Sequence, residues 1–85
     1  MVFYRKLYPI GYTMPTALSR YVKARRERAN LTQADLALKA GVGLRFIRDL
    51  EQGKQTLRMD KVNQVLAMFG QELGPQRLET DAEAG

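Results

Sequence analysis

The chain has 85 residues, 14 Lys and Arg against 9 Asp and Glu, a formal charge of +5, 45% apolar residues, and neither cysteine nor histidine. A chain this short buries only about 60–70% of its unfolded surface, so one domain with one modest core is expected. Without Cys or His there are no disulfides, no zinc sites of the usual kind, no thiol nucleophile and no imidazole base, and the acidic residues form no convergent pair, so the sequence implies no enzyme, no metal and no cofactor.

Residues 1–14 (MVFYRKLYPIGYTM) hold four of the seven aromatics, Phe3, Tyr4, Tyr8 and Tyr12, together with Arg5, Lys6, Pro9 and Gly11. The breakers argue against a helix, and the charges interrupt the apolar block a secretory signal needs. Two readings stay open: Met14 is the natural start and the arm an addition before it, or the arm packs its aromatics on the domain or on a partner. Pro15 suits the first turn of a helix that runs to Ala29, with Leu18, Val22 and Ala29 inward and Asn30 as its stop. Thr32 is placed to cap a second helix, Gln33 to Ala40, with Asp35 at its third position, where a carboxylate meets the positive helix end. Gly41 breaks the pattern, and a third helix follows from Gly43 to Gln52. After the break at residues 53–56, a fourth helix spans Met59 to Phe69, with Val62, Val65, Leu66 and Phe69 on one stripe and Gly70 ending it. The remainder can start as a short extended segment, limited by Pro75, and ends in an acidic tail with Glu79, Asp81 and Glu83. The expected organisation is an arm (1–14), a folded domain (15–70) and a C-terminal dimerisation segment with its tail (71–85). No run reaches the ~18 apolar residues of a membrane span, so a cytoplasmic chain is expected.

The twenty residues from Gln33 to Gln52 fit two short helices crossing at a wide angle. Close approach wants a small residue mid-helix, Ala37; the turn wants glycine, Gly41; and Leu36, Ala40, Val42, Ile47 and Leu50 stand where the interior must be filled. This is the spacing of a helix-turn-helix. Charge adds a partner: residues 1–58 carry twelve basic against four acidic side chains, a net of +8, while residues 59–85 carry two against five, a net of −3. The basic part suits a polyanion, with double-stranded DNA as the candidate.

The pattern L-T-Q-x-x-L-A-x-x-A-G-V followed by F-I-R-D-L-E-Q-G-K resembles the Xre/phage-repressor family of helix-turn-helix proteins over residues ~18–74. The resemblance implies an all-α, lambda-repressor-like domain of four to five helices, with room for a short C-terminal β-strand at a dimer interface. It implies that the third helix enters the major groove and offers Gly43, Leu44, Arg45, Arg48 and Asp49 to base edges. Helical spacing independently sets positions 44, 45, 48 and 52 on a face opposite Ile47 and Leu50. Arginine bonds bidentately to guanine O6 and N7, so Arg45 and Arg48 are expected to read guanine-containing half-sites, the alternative being phosphate or solvent. Leu44, apolar where relatives carry a polar residue, would touch a thymine methyl; Gly43 lets the backbone come close or simply starts the helix. Phe46 is expected to pack more than to touch the duplex. Thr32 and Gln33 at the start of the second helix, with Lys54, Arg25 and Arg28, are the candidates for phosphate. Arg26 and Glu51 are implied as an internal pair tying the first helix to the third.

One such motif reads only a few base pairs, so a homodimer on a palindromic operator is expected. Met59 and Met68, with Leu57, around the fourth helix, and Leu73 and Leu78 beyond it, are its candidate contacts. The run GKQTLRMDKVNQVLAMFGQELG is most similar to HipB-type antitoxins, which repress their own operon and bind a HipA-like kinase toxin. That similarity implies an antitoxin; the alternative is a stand-alone regulator with DNA as its partner.

Overall fold

A computed structural model describes residues 15–77, which form four helices: α1 (Ala17–Arg28), α2 (Gln33–Ala40), α3 (Leu44–Gln52) and α4 (Met59–Ala67). Among the described residues no strand forms, and Leu78, the arm and the acidic tail lie outside them. None of the described helices is long and apolar enough to cross a membrane.

α1 starts later than its proline suggests. Thr16 is the N-cap, its Oγ1 accepting from Ser19 N at 3.0 Å while Ser19 Oγ accepts from Thr16 N at 2.7 Å. A reciprocal capping box satisfies two backbone donors, whereas proline in the first turn only omits one, so Pro15 is left outside the helix. Ser19 is the one buried polar residue among those described; its hydroxyl also donates to Thr16 O at 2.9 Å, so burial leaves nothing unpaired. At the other end Ala29, expected inward, is exposed, because the backbone has already left the helical path there.

All four helices stop the same way. A left-handed residue follows each (Asn30, Gly41, Gly53, Gly70), and the next N–H reaches back five residues: Leu31 to Arg26 O, Val42 to Ala37 O, Lys54 to Asp49 O and Gln71 to Leu66 O, at 3.0–3.1 Å. This closes the free carbonyls of each last turn. α4 accordingly ends at Ala67, two residues short of the apolar stripe, and Phe69 packs from the turn beyond it. The turn between α2 and α3 depends most on its glycine. Gly41 has φ of 77°, and a β-carbon there would meet only Gln64 Nε2 at 3.6 Å, an ordinary contact. The penalty for a side chain is therefore conformational, and Gly41→Ala is expected to lower stability by about 1–2 kcal/mol in a urea titration, with an unchanged slope.

The core is built from all four helices, with Val22, Leu36, Ile47, Leu50 and Val65 fully buried and Ala37, Val62 and Leu66 nearly so. Ala37 is the small buried residue of α2, which packs against α3. Two amides on α4 then fix what surrounds it. Gln64 Nε2 donates to Ala40 O at 3.1 Å, holding α4 to the end of α2, and Asn63 Oδ1 accepts from Leu73 N at 2.8 Å, laying residues 71–77 back along the domain with Leu73 against the core.

Candidate nucleic-acid interface

α3 packs against α1 and α2 through Ile47 and Leu50, and this determines what it can offer outward. Arg45, Arg48 and Gln52 are exposed and, at 3.6 residues per turn, fall within about 60° of one another around the helix. Neither arginine enters an ion pair among the described residues. Leu44 sits elsewhere than the sequence suggests: it is half-buried and packs against the core with Phe46, so Gln52 completes the outward face. Asp49 borders that face, half-covered, with Lys54 Nζ 3.7 Å from its Oδ2. Gly43 precedes the helix with an ordinary φ of −76° and nothing within 4 Å of a would-be β-carbon, so the turn itself does not demand glycine. No side chain caps α3, which leaves its first N–H groups uncovered.

The hidden edge of α3 is pinned by Glu51. Arg26 Nε donates to Glu51 Oε2 at 2.6 Å and Arg26 Nη2 to Oε1 at 3.0 Å, a two-pronged pair whose side chains are 12% and 4% exposed. Arg26 Nη1 also donates to Leu31 O at 2.8 Å, and Gln33 Nε2 donates to Glu51 Oε1 at 3.0 Å. One carboxylate thus joins α1, the first residue of α2 and the last turn of α3. The hydrogen bonds that Arg26 donates to Glu51 raise its pKa against the opposing effect of burial, so the guanidinium stays charged.

At the start of α2, Thr32 Oγ1 accepts from Asp35 N at 3.0 Å and Asp35 Oδ2 accepts from Thr32 N at 2.9 Å. The Thr32 backbone N–H, then its hydroxyl, holds the Asp35 carboxyl below the usual carboxylate range. A depressed folded-state value means stability that is present above the unfolded value of about 3.9 and is lost as the pH falls through the folded one. Asp35→Asn is therefore expected to have a lower Tm than the parent at neutral pH, with the gap closing below about pH 4 in thermal melts.

The helix-turn-helix family HTH_3 matches residues 22–74, from Val22 in α1 to just past Leu73. The chain belongs to this family. An uncharacterized HTH-type transcriptional regulator, y4mF, of Sinorhizobium fredii is 50% identical over 56 residues, covering 66% of this chain and 74% of that protein. The class is that of DNA-binding transcription regulators.

In this helix-turn-helix protein the basic candidates divide into separate groups. Arg25 is held between two rings, its guanidinium carbon 5.6 Å from the Tyr21 centroid and 5.1 Å from that of Phe69, with Nη1 donating to Tyr21 Oη at 2.8 Å. Arg28 borders the same shallow depression, so both gather at Phe69 beyond α4 and not along α3. The apolar candidates divide as well. Met59 and Leu73 line one groove with Leu57, whereas Met68, nine residues on from Met59, lies about half a turn away around the helix. Sequence reasoning did not single out Leu38, 83% exposed on the outer side of α2, or the Gln33–Glu51 bond. Leu38 carries no periodic signal, and a glutamine bond to a distant carboxylate has no sequence signature.

Proposed function

We propose that the chain is a sequence-specific transcriptional repressor that binds palindromic double-stranded DNA as a homodimer. The observation that carries this is the outward face of α3: two unpaired arginines and a glutamine on a helix whose opposite side is fixed by Ile47, Leu50 and the Arg26–Glu51 pair. Rigid support of exposed donors suits readout of base edges, with Arg45 and Arg48 on guanine and Gln52 beside them. Asp49, next to this face, limits which base can lie opposite it, and Leu44 contributes packing that sets the helix depth. Thr32, Gln33 and Lys54 are the phosphate contacts, favoured by the positive end of α2. Arg25 and Arg28 take the role of surface cations around Phe69. The uncovered N-terminus of α3 at Gly43 gives the sugar-phosphate backbone room to approach.

The dimer surface is the flank of α4 that carries Met59, 67% exposed, with Leu57 and Leu73; Met68 is left outside it. A two-fold axis there would set the two recognition helices one turn of DNA apart, ~34–36 Å. Met59→Glu is expected to shift sedimentation from dimer to monomer and to weaken operator binding while leaving the circular dichroism unchanged. A dimer that survives the substitution would move the interface elsewhere.

The antitoxin role rests on the likeness of residues 53–74 to HipB-type proteins, which suggests a HipA-like kinase toxin as second partner. Co-purification of such a kinase encoded beside this gene supports the role; a gene with no such neighbour leaves the stand-alone regulator.

A further inference from the structure

The Glu51 side chain is almost wholly covered, yet one of its hydrogen bonds goes to a residue that the pairing with Arg26 does not need. Arg26 Nε and Nη2 take one site on each oxygen, at 2.6 and 3.0 Å, and a two-pronged contact of this kind fixes the plane of the carboxylate. A further site on Oε1 is taken by Gln33 Nε2 at 3.0 Å. Gln33 is half-buried at the first position of α2, and Arg26 Nη1, 2.8 Å from Leu31 O, anchors the turn just before it.

A carboxylate only accepts hydrogen bonds, so Glu51 selects the nitrogen end of the Gln33 amide over its oxygen end. One N–H is consumed, and the second has no partner among the described residues. The long side chain gives up its rotamer freedom on folding, so a ligand that takes the second N–H does not have to order it. A phosphate oxygen is such a ligand, because it too only accepts. Glu51 lies about one turn after Arg48 on α3 and next to Gln52, so the same carboxylate sets the distance from that N–H to the outward face of α3. We propose that Glu51 is a positioning residue for DNA binding, which holds the Gln33 amide as a phosphate donor in register with Arg45, Arg48 and Gln52. This role rests on the reading of α3 as the recognition helix and of Gln33 as a backbone contact.

The test is a set of titrations of the full chain, Gln33→Met, Arg26→Met/Glu51→Leu and the triple variant against a duplex selected from a random pool and its shuffled counterpart. Replacing both members of a buried pair by apolar residues preserves a fold better than removing one, and thermal melts give a temperature at which all four are folded. Gln33→Met is expected to weaken binding about 10-fold on both duplexes, and the paired variant about 5-fold or more. Adding Gln33→Met to the paired variant costs less than about twofold further, and the salt slope stays as in the parent because Gln33 is neutral. In nitrogen-edited spectra of the parent, the Gln33 side chain is expected to show two well-separated amide protons with and without duplex. Averaged, random-coil shifts there would overturn the proposal even if the paired variant does not fold. Parent-like binding by the paired variant, with a full loss in Gln33→Met, would overturn the role of Glu51 and keep the phosphate contact. Parent-like binding by Gln33→Met would remove the contact and the role together. A parent that binds the two duplexes equally would overturn the α3 reading itself, and this role with it.

Discussion

Arg26→Ala is expected to lower the folding free energy by about 3–5 kcal/mol, a large part of the ~5–15 kcal/mol of a typical domain. The substitution removes both charged donors from Glu51, whose carboxylate is almost wholly covered, and leaves Gln33 Nε2 as its main partner. It also frees the Leu31 carbonyl that Arg26 Nη1 satisfies at the turn before α2. The cost comes mainly from the stranded charge, so the double variant Arg26→Ala/Glu51→Ala is expected to be more stable than Arg26→Ala alone. Urea titrations of the parent, both single variants and the double variant measure this coupling. Equal midpoints for parent and Arg26→Ala would show that the pair contributes nothing. DNA affinity, corrected for the folded fraction, is expected to change little at temperatures where Arg26→Ala is folded.

Arg45 and Arg48 have the opposite profile. Both are exposed and unpaired, so Arg45→Ala and Arg48→Ala are expected to leave the melting curve in place. Each loses about 1–3 kcal/mol of discrimination for the operator, roughly 5- to 150-fold in affinity ratio, and the double variant retains only weak binding common to all sequences. Lysine separates the two chemistries open to these side chains. It preserves the charge but not the fork of donors, so Arg45→Lys and Arg48→Lys are expected to lose specificity nearly as fully as alanine does. Titrations against operator and shuffled duplexes distinguish this from phosphate contact, for which lysine would restore binding on both.

The motif was legible because its constraints are local. Ala37, Gly41, Ile47 and Leu50 each have a place that any wide-angle helix pair must fill, and α2 spans Gln33–Ala40 as its cap residues Thr32 and Asp35 imply. Boundaries slipped where two local signals competed, as when the Thr16–Ser19 capping box displaced Pro15, or when Gly70 ended α4 before the apolar stripe was spent. The reading face was legible only in part. Periodicity sets Arg45, Arg48 and Gln52 together, but whether Leu44 turns outward depends on how deeply α3 sinks between α1 and α2, and that is a matter of packing. Arg25 and Met68 show the same limit. Their surroundings come from the turn after α4 and from the helix's rotation, and neither is encoded in the residues next to them in sequence.

The central claim, that α3 reads a DNA sequence, is tested most directly by titrating the full chain at several salt concentrations against a duplex selected from a random pool and against its shuffled counterpart. Expected are a palindromic, guanine-containing selected site, at least about a thousandfold preference for it, and affinity on both duplexes that falls linearly in log K against log salt with a slope near −0.9 per phosphate neutralised. Equal affinity for the two duplexes, or binding that does not respond to salt, would contradict it.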